Sequence, residues 1–244
     1  MNHTTNQDKS TRKAGILAAS LLLAASSLVL FSSCGRNCTN PQQSTTSACA
    51  TMSQKKLEKK YTNADFYTGG KFNEAVALKA VKELIAFYGE PFTDFMTKEI
   101  WVTDFGMGDF EHAGMGGIFW VNNAEHGYFA HEIYLLPDQM IPEHAHVKTT
   151  FPAKFETWMV RHGWCYNFSE VGDPTPNPPA LPASQRDSVR SKNFVIQKVG
   201  DIIDLKKSET FHFLKAGPNG AIVSEWASYH DGKGLRFTNP KAKM

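Results

Sequence analysis

The sequence predicts a mainly β domain with a short helical segment on its N-terminal side. Three observations predict it. Seven short stretches rich in β-branched and aromatic residues follow one another between residues 99 and 229. Gly, Pro, Asn and Asp separate them, and one earlier stretch alone, "KFNEAVALKAVKELIAFY", carries clear helical spacing. Short strands at close spacing with turn signals suit a β-sandwich or small barrel.

The chain begins with Lys9, Arg12 and Lys13, then runs 18 residues without a charge from Ala14 to Phe31. A positive flank, an apolar run and the small residues Ser32 and Ser33 before Cys34 make the pattern of an export signal. "LFSSC" resembles a bacterial lipoprotein signal, which implies lipidation of Cys34. The same run is also long enough for an uncleaved membrane anchor. The polar stretch that follows reads as a flexible tether. Cys38 and Cys49 fall within it, and only Cys165 lies in the body, so the body is no disulfide scaffold.

In the body, Val76, Leu78, Val81, Leu84, Ile85 and Tyr88 recur at helical spacing, and "GEP" at 89–91 ends the run. The strand candidates are "EIWVTDFG", "GGIFWVN", "YFAHEIYLLP", "TWMVRHGWCYNF", "NFVIQKVGDIIDL", "TFHFLKAG" and "AIVSEWASY". Between the fourth and fifth, "GDPTPNPPALPASQ" holds five prolines in fourteen residues and is a surface loop, either a plain connection or a lid. With 244 residues, 41% hydrophobic content and no second domain or repeat, the chain has enough apolar sequence for one sizeable core. The net charge of +2 and the absence of a basic stripe exclude a nucleic-acid partner.

"PEHAHVKTTFPAKFETWMVRHG" (142–163) carries the chemistry. On a strand, His144 and His146 project from one face, because side chains alternate. Two imidazoles with the carboxylate of Glu156 suit a first-row divalent ion. His212, between Phe211 and Phe213, supplies a fourth ligand from a distant strand. Glu225, in the apolar "IVSEWAS", is either a structural partner of Arg161 or Arg236, or a general base. Lys154 shares the face of Glu156. His131 aligns with Phe129 and Ile133, so it either points inward or lies near a strand end. Of Trp101, Trp120, Trp158, Trp164 and Trp226, most belong to the core, and one or two are free to stack on a ring. His112, His126, His162 and His230 receive no role.

The order His144, His146, Glu156, Gly163, then Gly200 and His212, resembles the two motifs of the cupin family, which implies a jelly-roll β-barrel with a metal inside. Nine residues separate His146 from Glu156, more than the usual cupin gap, and Asp138, Lys206 and Ser208 stand where cupins carry Gly, Pro and Gly. A closer likeness covers about residues 97–242. "PEHAH", an insertion, "KFET", and the tail "AIVSEWASYHDGKGLRFTNPKAK" resemble the short D-lyxose isomerases, with Asn239 in place of an aspartate.

That resemblance implies interconversion of D-lyxose with D-xylulose, and of D-mannose with D-fructose. It implies a divalent ion, manganese by preference, on His144, His146, Glu156 and His212. It also implies a substrate-contacting role for Lys154 and a homodimer; within that reaction Glu225 is the candidate base, Lys154 assists it, and His131 and Arg236 are candidate substrate contacts. An exported sugar-binding cupin without turnover and a cupin dioxygenase are the alternatives. The expected organisation is a signal at 1–33, a tether at 34–65 and a cupin isomerase domain at 66–244, held at the membrane of the cell envelope through Cys34.

Overall fold

The computed structural model describes residues 56–244. The signal with Cys34, the thiols Cys38 and Cys49, and most of the expected tether lie outside the described residues. Among the described residues no helix is long and apolar enough to cross a membrane.

The elements run in the order α1 (Asn63–Phe66), β1 (Tyr67–Thr68), β2 (Lys71–Phe72), α2 (Glu74–Tyr88), α3 (Asp94–Glu99), β3 (Trp101–Thr103), β4 (Met115–Asn123) and β5 (Tyr128–Leu135). Then follow β6 (His144–His146), β7 (Glu156–Ser169), α4 (Ala183–Arg186), β8 (Asn193–Lys198), β9 (Ile202–Asp204), β10 (His212–Ser228) and β11 (Leu235–Phe237). The mainly β class holds. Nine strands form one curled antiparallel sheet, ordered β11-β6-β10-β5-β4-β3, with β7 also paired to β10 and carrying β8 and β9.

The helix starts three residues later than its periodicity suggests. Lys71 and Phe72 pair with Thr68 and Tyr67 across a Gly-Gly turn, and Asn73 caps α2 by accepting the Val76 N–H at 3.3 Å. Gly89 ends it in the left-handed conformation, φ 72°. Ala77, Val81, Leu84 and Ile85 pack on Ile118, Tyr134 and Ile222, all on the outer side of the sheet. Leu57 and Tyr61 pack on the same cluster, so the folded body begins before residue 66, within the stretch expected as tether. Its anchors are nonlocal: the Leu57 N–H donates to Asn219, and Lys59 pairs with Glu111.

Strands β5 and β10 alternate. Ile133, Leu135, Val223 and Ala221 face a second cluster inside the barrel, with Trp158, Val160 and Leu214. The sequence stretches at 210–217 and 221–229 form one strand, not two. Its register shifts between Ala216 and Ala221, where Gly220 takes φ 72°. "NFVIQKVGDIIDL" divides instead, because Gly200 (φ 86°) makes a turn between β8 and β9. Helix α3 had no visible period over six residues, but Thr93 caps it through the Met96 N–H.

The proline-rich segment is a connection, pinned by the Ser184 hydroxyl on Asp109 and the Asn239 amide on the Ser184 carbonyl. Its residues do not line the central cavity.

Candidate metal centre

Strand β10 assembles the site, because its two ends lie against different partners. His212 pairs with His144 of β6, while Glu225, thirteen positions on, pairs with His131 of β5 and Trp158 of β7. Alternation along each half, with the register shift between Ala216 and Ala221 switching its parity, turns all of them toward the barrel interior. The four side chains of His144, His146, Glu156 and His212 each offer a ligand atom, and these atoms lie within 4.8 Å of one another.

The donor chemistry suits a cation. His144 Nδ1 lies 3.0 Å from the Pro142 carbonyl, and His212 Nδ1 lies 3.0 Å from the Thr210 carbonyl. A carbonyl only accepts, so each Nδ1 carries the proton and each Nε2 is a bare lone pair, the tautomer a metal needs. His212 Nε2 and Glu156 Oε2 approach to 3.1 Å, yet neither finds a hydrogen-bond partner. His146 Nδ1 is buried without a partner too. Buried groups left in this state cost free energy unless something positive joins them. Burial, reinforced by His212 and His146, holds the His144 pKa well below the usual histidine value.

Beside this cluster lies a buried ion network. Lys154 Nζ donates to Glu156 Oε1 at 2.9 Å and also to Glu225 Oε1, and sits 4.4 Å from the centre of the Phe129 ring. Lys154, Glu156 and Glu225 are only 5%, 2% and 4% exposed, so these charges persist because they are paired. Burial pushes Glu225 up, and Glu156 adds to that. Lys154 and His131 outweigh both and hold the carboxyl below its ordinary pKa, ionised at neutral pH. Burial lowers Lys154, but the two carboxylates raise it above the usual lysine value.

All of these groups open into one cavity. Its other walls are mostly apolar, with Trp101, Phe119, Phe129, Trp158 and Phe237 among them. Of the five tryptophans, Trp101 and Trp158 are thus the ones at the site.

Two expected residues behave differently from the sequence reading. Arg236 is turned outward: on β11, Leu235 and Phe237 face the cavity, and the guanidinium of Arg236 donates to the carbonyls of Lys233 and Leu235. Arg161 is exposed and pairs with Glu90 at 3.2 Å, so neither arginine is the partner of Glu225. His131 does face inward, with Nδ1 3.4 Å from Glu225 Oε2 and its ring stacked on Trp101. Gly117 makes room for it, since a Cβ there would lie 2.4 Å from His131 Nε2. Sequence reasoning missed His230. It lines the cavity because Asn122, on β4, exchanges two hydrogen bonds with its backbone, a link between residues 108 positions apart. Burial, Lys154 and His146 push the His230 pKa down to about 3, so it is neutral.

No family model matches the chain. Among curated proteins, a D-lyxose/D-mannose isomerase of Thermosediminibacter oceani is 35% identical over 148 residues, which span 60% of this chain and 80% of that protein. The chain belongs to the D-lyxose isomerase family. A D-lyxose ketol-isomerase of a Thermofilum species is 34% identical over 62% of the chain and 83% of its own length. Among solved structures, an L-ribose isomerase of Acinetobacter sp. DL28 superposes with a TM-score of 0.56 at 17% identity, covering 68% of this chain and 91% of that one. An L-ribose isomerase of Cellulomonas parahominis gives 0.55 at 17%, covering 72% and 99%. At such identities these structures speak to fold, and they agree with the cupin jelly-roll expected from the sequence.

Proposed function

We propose that the protein is a metal-dependent aldose–ketose isomerase that converts D-lyxose to D-xylulose and D-mannose to D-fructose. The observation that carries this is the junction of two devices in one buried cavity. Four convergent ligands lie beside an ionised carboxylate, Glu225, that is held in place by Lys154 and His131. A divalent ion on His144, His146, Glu156 and His212 would supply Lewis-acid polarisation of the sugar's carbonyl oxygen. Manganese is the proposed ion, a choice that this donor set allows without enforcing.

Glu225 acts as the base that takes the proton from C2 and returns it to C1, since it is ionised and faces the cavity. Lys154 keeps Glu225 charged and places an ammonium proton where a sugar oxygen gains negative charge. The aromatic walls exclude water, which strengthens both effects.

The test is to strip the full-length protein with chelator and assay ketose formation from D-lyxose and D-mannose with each divalent ion restored. Manganese-dependent ketose supports the reading. Metal binding with no ketose from either aldose would leave a sugar-binding cupin, and oxygen uptake would leave a dioxygenase.

Export and lipidation at Cys34 belong to the same proposal, supported by the "LFSSC" pattern. Mass spectrometry of detergent-extracted protein should find a diacylglyceryl-modified Cys34, and an intact N-terminus would refute it. A homodimer is proposed too, in keeping with the exposed Phe95, Trp120 and Trp226. Light scattering that gives a monomer mass would remove it.

A further inference from the structure

The isomerase reading leaves a shortage of polar groups in the cavity. An open-chain pentose has five oxygens, and the proposed chemistry at C1 and C2 occupies the metal ligands, Lys154 and Glu225. The remaining hydroxyls face walls that are largely apolar. His131 already holds Glu225 through Nδ1, and its Nε2, though also without a partner, is closed in over Gly117 beside the Trp101 ring. His230 differs. Its ring lies against Phe129 at 5.4 Å and meets His146 edge-on at 5.3 Å, and its Nδ1 is buried with no hydrogen-bond partner. A buried imidazole nitrogen without a partner is costly to keep. Among the described residues neither ring nitrogen of His230 has a hydrogen-bond partner, and a sugar hydroxyl both donates and accepts, so it can pair with the nitrogen that turns to the cavity in either tautomer.

Resting on the isomerase reading, we propose that His230 reads a hydroxyl at C3, C4 or C5 of the substrate, and that Asn122 is the positioning residue that holds it there. Asn122 donates its amide to the His230 carbonyl at 3.0 Å and accepts the His230 N–H at 3.0 Å. Both bonds lie outside the cavity chemistry, so Asn122 acts only through where it sets the ring. The segment after β10 is thereby tied to the far end of β4, and the imidazole cannot drift from its place against Phe129.

A site built to hydrogen-bond a hydroxyl discriminates sharply against the analogue that lacks it, because its own buried group is then left unpaired. The metal-loaded full-length protein is therefore assayed on D-lyxose and on its 3-deoxy, 4-deoxy and 5-deoxy analogues. In the wild type, the hydroxyl that His230 reads should be worth about 10- to 100-fold in kcat/KM. In His230→Phe that one penalty should shrink to within about threefold while the other two persist, because the nitrogen that made it is gone. His230→Ala, which adds no bulk, gives an independent version if the phenylalanine variant misfolds. Asn122→Ala should raise KM with little change in kcat and reduce the same penalty in part.

Turnover of D-lyxose by the wild type, with all three penalties unchanged in both His230 variants, would overturn this inference and leave the isomerase reading standing. Wild-type protein that converts no aldose with any ion restored would overturn both.

Discussion

Replacing Lys154 by methionine keeps the unbranched stem, one atom shorter, and removes the charge between two buried carboxylates. Nζ donates to Glu156 at 2.9 Å and to Glu225, and none of the three residues is more than 5% exposed. Taking one partner from a buried ion pair costs about 3–5 kcal/mol, since the charge left behind has lost its compensation. In a domain of this size each kcal/mol moves the melting midpoint by about 2–4 °C, so the metal-free variant should melt about 6–20 °C lower. The assay is thermal denaturation of both proteins in chelator. A second substitution, Glu225→Gln, should recover part of the loss, because it removes one of the stranded charges. Added divalent ion should narrow the gap as well, by giving Glu156 a new counter-charge. Metal-free Lys154→Met that melts within a degree or so of the wild type would refute the reasoning: Nζ would not then be sitting between ionised carboxylates.

Three further outcomes are expected. Glu225→Gln should lower kcat about 100- to 10,000-fold with KM nearly unchanged, and wild-type product made in heavy water should carry solvent deuterium at C1; deuterium retained wholly from C2 would favour a hydride shift. Gly163→Ala should destabilise by more than about 2 kcal/mol in urea unfolding, because Gly163 has φ 69° and a Cβ would come within 2.1 Å of the Gly220 carbonyl oxygen; an unchanged midpoint would contradict that close approach. Asp109 titrates below the ordinary aspartate value: burial raises it, but hydrogen bonds from Ser184, Asn63 and His112 win. A lowered folded pKa gives stability that is present above the unfolded value of about 3.9 and lost as pH falls through the folded one. Asp109→Asn should therefore cost about 1–3 kcal/mol at pH 7, and the gap to the wild type should close as pH falls below 4; a gap that widens in acid would be inconsistent.

What was legible in the sequence was set by local spacing. His144 and His146 announce a shared face by strand alternation, and "GEP" marks a helix end that Gly89 does make in the left-handed conformation. What was not legible depends on register between distant strands. Nothing near Glu225 says that its partner is Lys154, 71 positions away, rather than an arginine. Arg236 sits beside two cavity residues, and only the pairing of Leu235 with His146 decides that it faces out. His230 stands two residues beyond the end of β10 with no pattern of its own, and only the two bonds to Asn122 give it a place in the wall. The merged strand β10 was hidden by Gly217 and Gly220, which read as a turn but serve as a bulge within one long strand.

The most direct measurement is metal stoichiometry and isomerase rate together, on the full-length wild type and on His212→Ala. One ion per chain and ketose from D-lyxose in the wild type, both lost in His212→Ala while the fold persists by circular dichroism, is the predicted result. An unaltered ion content and rate in His212→Ala would contradict the four-ligand centre on which the reaction is built.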